Sequence, residues 1–508
     1  MELPLRLFLR AALCMLLLTT AAAAQERPLR VVAPFEILGL EPAQAGHIFL
    51  RMDVAETLVS FDRQGQAVPA LAQGWTLSDD RKVWRFTLRD KARFHDETPV
   101  TAEAVVASLE RSRGKGGVLN QVALDSISAE DGTVVIRTRE PFAPLPAFLA
   151  NYSSIILAPS SLDAAGNVTR IVATGPYRVS RLAPPLSLET ERSPSWSGPA
   201  PAFTRASYLS VAQGESRATM AESGEADLAF TLPPTAMRRL AGNPRIALRS
   251  EPVPRTRIML VNSGDPLLSD PRARRALSLA VDRAGMAAGI LRNPAAAATQ
   301  LLPPVLAGWH DPSLPPLAHD PAEARRLLAE LGWRPGADGI LVRDGRRFRL
   351  SLRTVTVFPE LPIMATAIQA QLREVGIEVD VQAVGGAEIP AAHADGSLQL
   401  ALAARNYALV PEPLGVLQED FGPKGGVWGA MGWSSPALLD AFRKLSTTFE
   451  PAEREAPRRL VTRILQEELP VIPLSWLDYN FAVSQRVTEV RFDPYELSYG
   501  LRDIRPAR

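Results

Sequence analysis

The side chains best suited to binding a solute lie in the second half of the chain. Arg255 and Arg257 stand just before an apolar strand pattern, and a guanidinium fork at that point could hold a carboxylate. The alternative is that both are exposed linker charges. Tyr407, Trp428 and Trp433 could stack on a solute, although aromatic residues more often belong to a hydrophobic core. These residue types favour binding of a small organic solute over bond-breaking chemistry.

Sequence motifs for catalysis and for metal binding are absent from the chain. It has no phosphate-cradling GxxxxGK[ST] loop, no HExxH motif, no GxSxG elbow and no CxxC pair. No two histidines have the i,i+4 spacing of a metal-binding pair on a helix: they are His47, His95, His310, His319 and His393. We therefore expect no catalytic residue, no cofactor and no metal site. A secreted enzyme is kept as the alternative from a different functional class.

The N-terminus has the pattern of a secretory signal peptide. Arg6 and Arg10 precede an apolar run at 11–18, and small residues follow at 21–24. The apolar run is shorter than the roughly 20 residues that a transmembrane helix needs. We expect residues 1–24 to be removed after Ala24 and the protein to work in the periplasm. Because Cys14 is the only cysteine, the mature chain would have none.

Length and charge limit the class of protein further. The chain has 508 residues, which is more than one ordinary hydrophobic core holds, so two or more lobes are expected. Its net charge is only +1, whereas nucleic-acid-binding proteins usually carry a basic excess. We therefore expect no nucleic-acid partner.

The elements that must position the candidate residues are clearest between Leu71 and Val105. Trp84 and Phe86 alternate with polar residues, as in a half-buried strand. Thr101 is placed as the N-cap of a helix from about 102 to 113. A turn with the sequence Phe94-His95-Asp96 lies between them, and we interpret His95 as structural.

As a whole, the segment 71–105 resembles the signature of the extracytoplasmic solute-binding proteins of peptide/nickel ABC importers, family 5. Glu97 stands where that family usually has glycine. Further similar blocks are the turn 173–177 (ATGPY), the helix pattern 270–283 and the helix pattern 319–333. The chain is identified as a member of this family.

The resemblance implies an α/β fold of the two-lobed periplasmic binding protein type II-like kind, with mixed sheets and an extra subdomain in lobe I. We expect lobe I at 25–255, including an inserted subdomain at about 55–170. Lobe II is expected at 256–480, and residues 481–508 are expected to return to lobe I.

The resemblance also implies a function. The chain is expected to be a monomeric receptor that captures a peptide or peptide-like solute between the lobes and delivers it to an ABC permease with a separate ATPase. Peptide binders of the family place an aspartate three residues after the cleft aromatic, but Val410 stands in that position after Tyr407. Because this ammonium anchor is missing, a nickel-chelate or metallophore receptor is the alternative.

The nickel-type branch is matched only in part. The spacing from Tyr407 to Glu412 fits it, and Arg405 lies in the same cleft segment. However, Leu414 replaces the histidine that commonly follows the acidic-Pro pair, and the segment 150–159 lacks the arginines that grip chelator carboxylates. The sequence alone leaves the solute open.

Overall fold

The structure is a computed structural model that describes residues 27–355, 358–423 and 425–507. The predicted signal peptide and its cleavage after Ala24 lie outside these residues. The strands, in chain order, are β1 (Leu29–Ala33), β2 (Val59–Phe61), β3 (Ala67–Pro69), β4 (Ala72–Leu77), β5 (Val83–Leu88), β6 (Leu124–Glu130), β7 (Thr133–Thr138), β8 (Tyr177–Ala183), β9 (Ser187–Arg192), β10 (Arg205–Ser210), β11 (Leu228–Phe230), β12 (Ile246–Val261), β13 (Arg334–Pro335), β14 (Leu341–Arg343), β15 (Arg346–Arg347), β16 (Arg349–Val355), β17 (Glu378–Val384), β18 (Leu400–Asn406), β19 (Val471–Ser484), β20 (Val487–Thr488) and β21 (Arg505–Pro506).

Helices fill the connections between these strands. In chain order they are α1 (Pro42–Arg51), α2 (Ala102–Gly114), α3 (Leu145–Leu149), α4 (Gly214–Ser223), α5 (Pro234–Leu240), α6 (Pro271–Ala280), α7 (Arg283–Gly289), α8 (Pro321–Glu330), α9 (Glu360–Glu374), α10 (Glu388–Ala394), α11 (Pro413–Phe421), α12 (Pro436–Thr447) and α13 (Pro451–Glu468). Short 3-10 segments lie at Val118–Gln121, Tyr152–Ser154, Pro159–Ser161 and Pro294–Ala296.

The largest sheet is mixed and has ten strands in the order β17-β16-β18-β12-β19-β11-β1-β10-β9-β8. Its two longest strands, β12 and β19, pair antiparallel along most of their length. The register between them shifts between Pro252 and Thr256, and again between Arg257 and Ile258. Such bulges bend a strand pair and increase its twist. We call residues 252–258 of β12 the crossing segment.

The crossing segment connects two hydrophobic cores. The first core contains β1 and β10 together with residues of the C-terminal segment as far as Ile504. The second core begins at Ile258 and ends at Leu474. Because Val253 belongs to the first core and Ile258 to the second, the chain passes from one to the other within a few residues. The lobe boundaries near 255 and 480 stay a prediction, which this arrangement supports.

A third core contains residues from Leu58 to Val172, together with Val410, and packs around the sheet β4-β5-β7-β6. The local predictions for this region are confirmed: Trp84 and Phe86 are buried, and Thr101 Oγ1 accepts a hydrogen bond from the Ala104 N–H at 3.2 Å as the N-cap of α2. His95 connects this region to the turn at 173–177, because its Nε2 lies 3.0 Å from the Gly175 carbonyl oxygen.

Candidate functional site

A cavity of about 180 Å³ lies beside the crossing segment. Its walls come from α1, the 3-10 segment at 152–154, β12, the end of β18 and the C-terminal segment. We call it the crossing cavity, and it is lined by Phe35, His47, Leu50, Arg51, Tyr152, Arg255, Asn406, Leu409, Tyr495, Glu496 and Leu497. Of the seven binding residues predicted from the sequence, Arg255 is the one that lines this cavity.

One buried carboxylate organises the charges of the crossing cavity. Arg255 donates from Nε and Nη2 to the two carboxylate oxygens of Glu496 at 2.7 and 3.0 Å. Arg51 donates from Nη2 to the same carboxylate at 3.0 Å, and Asn406 Nδ2 donates to it at 3.2 Å. Burial would raise the pKa of Glu496, but the two guanidinium groups hold that pKa below its ordinary value. Two cations share one anion, so the cluster has one positive charge in excess.

Neutral polar groups complete the wall. The ring of His47 lies edge-on to Phe35 and Tyr152, with centroid distances of 6.3 and 5.6 Å. Burial, followed by the charge of Arg51, lowers the pKa of His47 to about 3, so its imidazole is neutral at pH 7. Burial raises the pKa of Tyr152, which keeps its hydroxyl protonated. Arg51 Nη1 has no hydrogen-bond partner of ordinary geometry among the described residues.

Arg405 and Tyr407 lie next to the crossing segment but outside the cavity wall. Arg405 is buried and donates to both carboxylate oxygens of Asp420 at 2.8 and 2.7 Å. Tyr407 is fully buried in the second core, and its backbone N–H donates to the Pro254 carbonyl at 2.7 Å. Their predicted roles in binding stay predictions.

The remaining predicted residues contact protein groups elsewhere. Glu412 accepts hydrogen bonds from Trp309 Nε1 and Arg454 Nη2, both at 2.9 Å, and caps α11. Trp433 donates from Nε1 to Glu468 at 2.8 Å. Trp428 packs half-buried against the second core, and Arg257 donates from Nε to Glu360 at 2.8 Å.

The position that carries aspartate in peptide binders is apolar and buried here. Val410 belongs to the third core, and Leu414 belongs to the second. The segment after β18 is held against the third core by Asn151, whose Nδ2 donates to the Leu409 carbonyl at 2.7 Å. A solute ammonium group therefore has no carboxylate to meet at Val410.

Most of the residues that line the crossing cavity were not predicted from the sequence. Arg51, His47, Tyr152 and Glu496 come from three segments that are far apart in the chain, and none of these segments has a motif that relates it to the others. The segment 150–159 contains no arginine. The structure instead supplies Arg51 from α1, beside Tyr152 of that segment.

Comparison with known proteins identifies the family. Residues 66–427 match the model of the bacterial extracellular solute-binding proteins, family 5. The chain belongs to this family. A nickel-binding periplasmic protein of Escherichia coli (strain K12) is 24% identical over 503 residues, which cover 94% of this chain and 95% of the relative. A probable D,D-dipeptide-binding periplasmic protein of the same strain is 27% identical over 440 residues, covering 84% and 82%.

Solved structures of family 5 proteins share the fold. NikA from Brucella suis, solved in complex with Fe(III)-EDTA, has a TM-score of 0.83 at 23% identity, covering 95% of this chain and 100% of that one. The expected two-lobed α/β fold of a family 5 binding protein is thus confirmed. None of the helices in the described ranges combines the length and the apolar composition that a membrane span requires. The same residues contain no cluster of three or more histidine, cysteine or acidic side chains that could hold a metal ion.

Proposed function

We propose that this family 5 protein is the solute receptor of an ABC importer and that it holds a small carboxylate-bearing solute in the crossing cavity. The observation that carries the proposal is the pair of buried guanidinium groups, Arg51 and Arg255, which share the single carboxylate of Glu496. Buried charges in proteins are normally balanced by a partner. A solute that brings one negative charge would balance the excess.

The size of the cavity supports a small solute. Its volume of about 180 Å³ is below the range of roughly 300–1,000 Å³ that is usual for drug-sized ligands. In the conformation described, the site therefore favours a solute of one or two residues over a long oligopeptide.

A peptide-like solute is the first candidate, and it would be recognised through its carboxylate end. The apolar surroundings of Val410 offer no acid for an α-ammonium group. Among the residues that the structure describes, Glu496 is the only acid on the cavity wall, and its oxygens already accept hydrogen bonds from Arg51, Arg255 and Asn406. Donors therefore outnumber acceptors in this site, which is the requirement for binding a carboxylate.

A metal chelate with carboxylate groups is the second candidate, and His47 is the observation that favours it. Its imidazole is neutral at pH 7 because burial and Arg51 lower its pKa, and a neutral imidazole is a common metal ligand. Among the similar proteins, one is a nickel-binding protein and one was solved with Fe(III)-EDTA, a carboxylate-rich chelate. The metal would be part of the cargo rather than a resident cofactor.

Delivery would follow from closure of two lobes. We place lobe I at 25–255 with 481–508 and lobe II at 256–480, hinged at the crossing segment, where the bulged register concentrates the bending. The receptor would be a monomer exported to the periplasm after cleavage behind Ala24. It would present its closed form to a membrane permease, and a separate subunit would hydrolyse ATP.

Calorimetric titration of the purified chain tests this proposal. The panel is a dipeptide, the same dipeptide with its C-terminus amidated, a pentapeptide and the nickel–histidine complex. We expect one molecule of a carboxylate-bearing compound to bind and its amide to bind at least tenfold more weakly. Preference for the amidated peptide, or chemical turnover of any compound, would contradict the proposal.

A further inference from the structure

A second cavity of about 510 Å³ lies along β19 and, in the part of the chain that the structure describes, shares no lining residue with the crossing cavity. Its walls come from α5 and the loop before it, from the residues after α7, from the start of α9 and from β19. This volume lies within the usual range of roughly 300–1,000 Å³ for small-molecule sites. The second cavity is therefore large enough for a small organic molecule.

An acid without an ion pair lines this cavity. Asp478 accepts a hydrogen bond from Asn293 Nδ2 at 2.6 Å, and it has no ion-pair partner among the residues that the structure describes. Its half-buried position raises the pKa of its carboxyl group, although Arg257 and Asn293 act in the opposite direction. A partly buried carboxylate whose hydrogen-bond donors, Asn293 and Ser250, are both neutral favours a cationic partner.

Aromatic surface adjoins this acid. Trp476 lies two residues away on the same strand and also lines the cavity. Its indole nitrogen is already used, because Nε1 donates to the Gln300 carbonyl at 3.1 Å. Phe358 contributes a second ring to the wall. Carbon surface of aromatic rings beside a carboxylate suits an organic ammonium group with an apolar body.

Two arginines without ion pairs complete the charge pattern. Arg238, at α5, and Arg292, after α7, are both exposed and line the cavity. Within the described ranges neither has an ion-pair partner. The other acid of the wall, Glu360, is neutralised by Arg257 at 2.8 Å. The charges that stay free are thus one carboxylate and two guanidinium groups.

We propose that the second cavity binds a zwitterionic amino acid, or a compound of the same chemistry, with its ammonium group at Asp478 and its carboxylate at Arg238 or Arg292. A simple amine would be repelled by the two arginines, and a simple anion would leave Asp478 without a cation. The apolar side chain of the amino acid would pack on Trp476 and Phe358. This proposal does not depend on the crossing cavity, which contains an excess of cationic donors and no free acid.

The test is calorimetric titration of the whole chain with the substitution Arg51→Gln, which removes a carboxylate donor from the crossing cavity and leaves the second cavity unchanged. The titrants are L-phenylalanine and two analogues, each of which lacks one charge. These are 3-phenylpropionate, without the ammonium group, and L-phenylalaninamide, without the carboxylate. We expect one equivalent of phenylalanine to bind and both analogues to bind at least tenfold more weakly.

Single substitutions test whether phenylalanine binds in the second cavity. Asp478→Asn keeps the shape of the side chain and should weaken phenylalanine binding at least tenfold, and Arg292→Gln should weaken it severalfold. Asp440→Asn is the matched control, because Asp440 is exposed on α12, and it should leave binding unchanged. Circular dichroism melting checks that each variant is folded. No binding of phenylalanine, equal binding of 3-phenylpropionate, or unchanged binding in Asp478→Asn would each overturn the proposal.

Discussion

Arg255 and Glu496 form a two-point ion pair across 241 positions of the sequence, with guanidinium–carboxylate distances of 2.7 and 3.0 Å. The pair joins the crossing segment to the C-terminal segment, whose neighbouring residues belong to the first core. Asn406, at the end of β18, donates to the same carboxylate. Glu496 belongs to the C-terminal segment, next to residues of the first core. Its carboxylate thus links that core to the crossing segment and to the end of β18, a strand that packs in the second core.

Removing the charge of this acid should destabilise the protein. In Glu496→Gln, two buried guanidinium groups lose their counter-charge, and breaking a buried ion pair in this way costs about 3–5 kcal/mol. The measurement is the free energy of unfolding by urea denaturation. Glu489→Gln is the control, because Glu489 and Arg491 form an exposed pair at 3.9 Å and such pairs contribute at most about 1 kcal/mol. Equal effects of the two changes would contradict the assigned role of Glu496.

Arg257 gives a second prediction, which separates stability from binding. Sequence reasoning placed it as a possible carboxylate ligand, whereas the structure pairs it with Glu360 and places it in the wall of the second cavity. We expect Arg257→Ala to lower the free energy of unfolding by about 3–5 kcal/mol, because Glu360 is left without its partner. We expect it to change the affinity of a solute in the crossing cavity less than twofold. A tenfold loss of affinity with unchanged stability would show that Arg257 contacts that solute.

Acid should destabilise the protein partly through His95. Burial lowers the pKa of His95 to about 4, although its hydrogen bond to the Gly175 carbonyl favours the proton. The unfolded chain, with a histidine pKa near 6.5, therefore binds more protons than the folded chain between pH 6.5 and 4. Stability falls as pH falls through this window, by about 3 kcal/mol at pH 4 for this one residue.

Comparing variants isolates this contribution. His95→Gln should show a loss of unfolding free energy from pH 7 to pH 4 that is smaller than the wild-type loss by this amount. The exposed His319 is the matched control, and His319→Gln should reproduce the wild-type loss. Identical pH dependence of His95→Gln and the wild type would show that folding does not lower the pKa of His95.

The turn at 173–177 should not accept a side chain at Gly175. A Cβ atom there would lie 2.6 Å from the backbone carbonyl carbon and oxygen of Val54, and backbone atoms cannot rotate away as a side chain can. We expect Gly175→Ala to cost about 1–3 kcal/mol of unfolding free energy. At Gly74, in β4, a Cβ would meet no atom within 4 Å, so Gly74→Ala should stay within about 0.5 kcal/mol of the wild type.

Features that depend only on residues close together in the chain were predictable from the sequence. The alternation at Trp84 and Phe86 and the N-cap at Thr101 follow from local backbone geometry and solvent exposure, and all three were confirmed. His95 was interpreted as structural, and it bonds the turn at 173–177. The family resemblance, carried by these short-range patterns, also implied the correct fold.

The site was not predictable in the same way, because its charges meet only after folding. Arg51 and Glu496 are 445 positions apart, and no periodic pattern relates them. Arg255 lines the crossing cavity, whereas Arg257, two residues further along β12, lines the second cavity. In a regular strand, two residues at this spacing would point to the same face, so the sequence could not separate them.

The most direct test of the central claim is native mass spectrometry of the gently purified chain, comparing the wild type with Arg51→Gln. Removing one charged hydrogen-bond donor from a bound carboxylate costs about 1.5–3 kcal/mol, which is at least a tenfold loss of affinity. The wild type should retain one small molecule whose mass and fragments identify a carboxylate-bearing compound, and folded Arg51→Gln should lose it. A retained compound without an acid group, or equal retention by both proteins, would contradict the account.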